Sequence, residues 1–176
     1  MCTGNIHRSP LAAFLLQRDL DRRGLKAHVT SAGVLEDGRP AAEQIVELLK
    51  VRGLDGSDHL TRRITPDLLG EQDLVLAMAR DHAREIVMLR PDTIDRTFTL
   101  KELVRRGEAI GPRGADEPLD DWLRRAADGR TQASFLGSSV TDDVADPIGR
   151  RFSVFKKTAV EIEGLTARVA DLLAPA

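Results

Sequence analysis

The chain has 176 residues, 41% of them hydrophobic, with no internal repeat or low-complexity tract, which fits one soluble globular domain able to bury a full core. Its 26 basic and 28 acidic residues leave a net charge of -2, without the basic excess of a general nucleic-acid or membrane-surface binder, so neither partner is expected. The single cysteine, Cys2, excludes an internal disulfide and a multi-cysteine zinc site and fits a reducing, cytoplasmic setting; no metal or other cofactor is expected.

In chain order, Ser9 as N-cap and Pro10 in the first turn predict a helix over "SPLAAFLLQRDLDRRG", ending at Gly24. "AHVTSAG", Ala27 to Gly33, reads as a strand running into a glycine turn, and "AAEQIVELLKVRG" as a helix stopped by Gly53. "DLVLAMA" at Asp73 to Ala79 is predicted as a buried strand, "RDHAREIVMLR" as a helix and "RTFTL" at Arg96 to Leu100 as another strand. Residues 107–140 read as a loop insertion holding one amphipathic helix around Trp122, and Phe152 to Leu173 as a long closing helix. This alternation predicts an α/β domain: three layers, a four-stranded parallel sheet and helices on both faces, over residues 1–176.

The opening "MCTGNIHRSP" carries the chemistry. Backbone N–H groups that converge at the start of a helix attract an anion, because unpaired donors and the positive end of the helix dipole act together. Gly4 permits a tight turn and Asn5 accepts a left-handed backbone. A cysteine in such a field is expected to be activated, with a pKa in the ~3.5 to 7.5 range, and Arg8 offers a planar fork for two phosphate oxygens. Taken alone, Cys2 reads as a small buried hydrophobe and Asp146-Pro147 as a turn opener, with Asp142 and Asp143 competing for any acid role.

The string "CTGNIHRSP" resembles the low-molecular-weight protein tyrosine phosphatases, whose loop commonly reads CxGNxxRSP. "SAG" at Ser31 to Gly33, "HLTRR" at His59 to Arg63, "DLVLAM" and "DDVADP" follow in the family's order. The resemblance implies a phosphomonoester hydrolase acting on phosphotyrosine in proteins, or on small phosphomonoesters, through a phosphocysteine. It implies catalytic roles for Cys2, Arg8 and Asp146, phosphate binding by Thr3, Gly4, Asn5, Ile6, His7 and Arg8, and support from Ser9, Ser31 and His59.

The chain departs from that family in three ways. His7 stands where many members carry a second cysteine, so a disulfide within the loop is excluded. No aromatic residue directly follows Asp146-Pro147 or occurs in "VLEDGRP", which leaves Leu35, Ile148 and Trp122 as candidates for apolar contact with a substrate. Only Met1 precedes Cys2, where the family has an apolar strand; in an arginine-rich coding context, Met1 is expected to stand for a valine and the reading frame to continue upstream. Two other functions stay open: an inactive phosphate-binding or regulatory relative, and an arsenate reductase, whose thioredoxin-linked type needs additional cysteines.

Overall fold

The structure, a computed structural model, describes residues 1–175, Gln132 by its backbone alone. Helix α1 spans Arg8–Arg22, close to the predicted range, and buries Leu11, Leu15, Leu16 and Leu20 on one face. It packs along α7, Phe152–Leu173, which contributes Phe155, Ala159, Ile162 and Val169 to the same core. Between them lie α2 (Glu43–Val51), α3 (Pro66–Gly70) and α4 (Arg80–Leu89). After these come α5 (Leu100–Ile110) and α6 (Leu119–Ala127). Helix α5 was not among the predicted elements, although Thr99 and Glu102 form a complete capping box at its start.

Among the described residues the sheet has two parallel strands, β1 (Val75–Ala77) and β2 (Thr97–Thr99), paired Val75 with Thr97 and Ala77 with Thr99. Val75 and Ala77 face a cluster with Leu69, Ala83 and Ile86 from α3 and α4. Leu76 and Phe98 face the larger core formed with α1, α5, α6 and α7. Helices therefore cover both faces, as expected of a parallel sheet.

The four-stranded sheet is not seen. The predicted strand from Ala27 to Gly33 joins the sheet only through single bridges, Cys2 with Gly33 and Gly33 with Arg63. Its first half is tied to a helix instead: Gln17 of α1 accepts from Val29 N at 2.8 Å and donates to Ala27 O at 3.0 Å. A side-chain amide thus takes over the ladder bonds that a neighbouring strand would have made. On the other side of Gly33, Cys2 N donates to Ala32 O at 3.3 Å and Met78 N to Met1 O at 2.9 Å, so Met1 and Cys2 lie between Gly33 and the end of β1.

In residues 107–140 the predicted helix around Trp122 is present as α6, while the start of the segment and the place of Trp122 differ from the prediction. The segment begins inside α5 and carries α6, with Trp122 fully buried and its indole N–H donating to Gly111 O at 3.0 Å. Trp122 packs where Gly107 leaves room: a Cβ at Gly107 would sit 2.7 Å from Leu172 Cδ1 and 3.1 Å from the indole ring. Trp122 is therefore a core residue and cannot line a substrate site. Trp122→Ala should cost about 3–5 kcal/mol of stability, measured by urea unfolding; a cost below about 1 kcal/mol would contradict this packing.

Candidate active site

The loop of residues 2–8 starts beside β1 and ends as the first residue of α1. Among the described residues, none of the backbone N–H groups from Thr3 to Arg8 finds an acceptor. Six consecutive donors are thus left free at the N-terminus of a 15-residue helix, where the dipole adds to their attraction for an anion. The path that points them inward depends on Asn5, which has φ 51° and is the one non-glycine residue with positive φ among those described.

Asn5 is 1% exposed and its hydrogen bonds fix the loop from four sides. Its Nδ2 donates to Ser9 Oγ at 2.9 Å and to Ser31 Oγ at 2.8 Å. Its Oδ1 accepts from Arg62 N at 3.0 Å, and its carbonyl oxygen lies 2.8 Å from His59 Nε2. Gly33 must be glycine for a related reason: a Cβ there would meet Thr3 O at 2.7 Å and Asn5 N at 2.9 Å.

Cys2 is buried, with Sγ 3.0 Å from Ser9 Oγ. Ser9 was predicted as the helix cap, but α1 begins at Arg8 with His7 before it, and no side chain caps it. The Ser9 hydroxyl is engaged by Cys2 and Asn5 instead. Arg8, 5% exposed, donates from Nη1 to Val144 O at 3.1 Å and from Nη2 to Asp146 Oδ2 at 2.6 Å. The Asp146 carboxylate is half open to solvent, and its other oxygen accepts from Ile148 N at 3.0 Å.

The two competing carboxylates are committed elsewhere. Asp142 takes bonds from Arg80 and Arg105, while Asp143 accepts from Arg80 N at 2.8 Å and Ser139 N at 2.9 Å. Of the three aspartates in "DDVAD", Asp146 is the one joined to the loop's guanidinium.

The remaining loop residues sit on its rim. Ile6 O accepts from Ala42 N at 3.1 Å. His7 packs edge-on against Phe155, with ring centroids 5.7 Å apart, and burial holds its pKa below the usual histidine range. Leu35 and Ile148 are exposed next to Thr3 and Asp146, while Phe152 stacks on Phe155 with about half its surface open. These two phenylalanines beside His7 were not anticipated, because they arrive from the first turn of α7 and not from the residues adjoining Pro147.

His82 was also missed. From the first turn of α4 its Nε2 lies 2.8 Å from Thr3 Oγ1, while its Nδ1 is buried without a partner. Burial first, and then the Arg8 charge, push its pKa from 6.5 down to about 4. The unfolded chain takes up a proton below about 6.5 whereas the folded one resists until about 4, so this contribution is intact above 6.5 and lost as pH falls through that window. Thermal melts between pH 7 and pH 4 should show wild type losing up to about 3 kcal/mol more than His82→Gln. Identical pH dependence of the two proteins would contradict a buried neutral histidine.

The chain is similar to known phosphatases. The chain is 30% identical over 174 residues to the protein-arginine-phosphatase of Bacillus subtilis, covering 98% of this chain and 93% of that one. It is 35% identical to a probable low molecular weight protein-tyrosine-phosphatase, EpsP, of Ralstonia solanacearum, over 58% of this chain and 69% of that one. Among solved structures, a low molecular weight protein tyrosine phosphatase from T. tengcongensis matches with a TM-score of 0.73 and 33% identity, covering 98% and 95% of the two chains. A YwlE arginine phosphatase mutant with a phosphorylated active site serine matches with a TM-score of 0.71 and 29% identity, over 96% and 90%. The model of the low molecular weight phosphotyrosine protein phosphatases matches residues 1–120, and the chain belongs to that family of phosphatases.

Proposed function

We propose that this phosphatase hydrolyses phosphotyrosine in proteins through a phosphocysteine intermediate, with Cys2 as nucleophile, Arg8 as phosphate clamp and Asp146 as proton donor. The observation that carries the reading is the row of six backbone N–H groups from Thr3 to Arg8 without acceptors, in the loop that follows the buried Cys2. In the first step Cys2 Sγ forms a bond to phosphorus as the bond to the ester oxygen breaks, and Asp146 gives its proton to that oxygen. In the second, water attacks the phosphocysteine, Asp146 takes the water's proton, and the thiolate leaves with inorganic phosphate released.

The loop residues Thr3, Gly4, Asn5, Ile6, His7 and Arg8 present their N–H groups to the equatorial oxygens, where charge concentrates in the transition state. Ser9 lies within hydrogen-bond distance of Sγ and stabilises the thiolate as nucleophile and as leaving group. Ser31 and His59 act through Asn5, keeping the loop in shape. The dianion competes with Asp146 for Arg8 Nη2, so substrate binding releases the carboxyl group towards the leaving oxygen.

An aryl substrate is supported by the apolar rim: Leu35 and Ile148 on two sides and the Phe152–Phe155 pair beyond His7. A second reading, hydrolysis of phosphoarginine, is favoured by the likeness to the Bacillus protein-arginine-phosphatase along almost the whole chain. Rates on matched peptides carrying either phosphoresidue decide between them: a higher kcat/KM on phosphotyrosine is expected, and the reverse order would give the second reading.

Hydrolysis of para-nitrophenyl phosphate should be abolished in Cys2→Ser and blocked by vanadate in the wild type. Activity retained in Cys2→Ser would sink the nucleophile assignment. Asp146→Ala should slow phenyl phosphate, with its poor leaving group, by ~10²- to 10⁴-fold and para-nitrophenyl phosphate far less; equal slowing of both would remove Asp146 from the acid role.

A further inference from the structure

The segment from Ser139 to Asp146 has no regular secondary structure, yet it must hold Asp146 over a loop that lies far away in sequence. Its path is set by a short series of bonds. Asp142 is 3% exposed and receives Arg80 Nε and Nη2 on Oδ2 at 2.9 and 2.6 Å, and Arg105 Nη2 on Oδ1 at 3.0 Å. Asp143 accepts the backbone N–H of that same Arg80 at 2.8 Å. Val144 donates to Met78 O at 2.7 Å and accepts from Arg8 at 3.1 Å, and Asp146 closes on Arg8 at 2.6 Å.

We propose that the Arg80 side chain is the positioning group for Asp146, acting through Asp142; this rests on the reading of Asp146 as proton donor. Two physical arguments separate the role from ordinary stabilisation. A buried carboxylate held by guanidinium groups gains little net stability over a well-packed apolar residue, because desolvation of the charges offsets their attraction; what it supplies is a fixed geometry. Here burial opposes the charge on Asp142, and the Arg80 and Arg105 bonds outweigh it, so the residue stays ionised and gripped.

Timing also matters. Asp146 is paired with Arg8, the same guanidinium that the proposed function assigns to the phosphate. Once the dianion takes Arg8, the direct pair is lost, and the anchors left to the acid segment are the Val144 N–H bond to Met78 O, the Arg80 and Arg105 side chains on Asp142, and the backbone N–H of Arg80 on Asp143. Arg80 occupies the first position of α4, separated from β1 by two residues, so it ties the acid segment to the end of the sheet. An error of about 1 Å in placing a catalytic group, caused by a change well away from the chemistry, is enough to cost about 10²-fold in rate.

The test compares Arg80→Ala and the shape-conserving Asp142→Asn with wild type and Asp146→Ala, each confirmed as folded by its thermal transition. Phenyl phosphate and para-nitrophenyl phosphate report leaving-group demand, and the rate of Cys2 alkylation by iodoacetate reports the phosphate loop. Either anchor variant should lose about 10- to 100-fold on phenyl phosphate and less than about 3-fold on para-nitrophenyl phosphate, with alkylation unchanged. The double variant Arg80→Ala with Asp146→Ala should be no slower than Asp146→Ala alone, because both changes remove one function. Equal loss on the two substrates, slowed alkylation or an additive double variant would overturn the proposal. If Asp146→Ala itself lacks leaving-group dependence, the acid assignment falls and this role of Arg80 falls with it. If Asp146→Ala shows it and both anchor variants do not, the anchor alone is refuted.

Discussion

Asn5 is where the backbone leaves the allowed range of ordinary residues, and its side chain is what holds it there. A left-handed conformation outside glycine is uncommon and is tolerated best by asparagine, whose short amide bonds to nearby groups. In this protein the amide reaches Ser9, Ser31 and the Arg62 backbone, so three separate segments support one turn. The turn at that point leaves the N–H groups of Thr3 to Arg8 without acceptors among the described residues. Everything the site does with an anion follows from that turn, including the closeness of Cys2 to Ser9 and the room that Gly33 leaves for the loop to pass.

The electrostatics of the site are coupled through Arg8. Its guanidinium is almost fully buried and shared between Val144 and Asp146, so the loop of residues 2–8 and the segment that ends at Asp146 meet on one charge. Above it, the first turn of α4 touches both: His82 reaches Thr3 on the loop, and Arg80 reaches Asp142 and Asp143 on the acid segment. A neutral His82 fits this arrangement, because a second buried cation beside Arg8 would have no counter-charge of its own.

What could be read from the sequence was whatever chemistry the chain encodes locally. Asn5, Gly4 and the serine after Arg8 lie within one short string, so the turn ahead of α1 was legible; α1 itself was read from Pro10 and the glycine stop, and α7 from its apolar spacing. The strand from Ala27 to Gly33 was misread because strand pairing is a property of neighbours; Val29 and Thr30 have the right residue types, but Gln17 of a helix takes the bonds of Ala27 O and Val29 N. The residues alone left Asp142, Asp143 and Asp146 in competition, and only the resemblance of "DDVADP" to the family's late Asp-Pro singled out Asp146; the partners that occupy Asp142, Arg80 and Arg105, lie far back in the chain. Trp122 was misplaced for want of its complement, the missing side chain at Gly107. His82 gave no signal, since a histidine early in a helix is usually solvated.

The central claim is that Asn5 keeps a ready-made anion cradle in place before any substrate arrives. Asn5→Gly isolates it, because glycine still permits the left-handed backbone while removing every side-chain bond. Titration of wild type and this variant with inorganic phosphate by calorimetry, alongside their thermal transitions, measures the cradle directly. The account predicts that Asn5→Gly remains folded and binds phosphate at least about tenfold more weakly, the loss of roughly 1.4 kcal/mol expected when a loop must be ordered by its ligand. Equal affinity in the two proteins would contradict it.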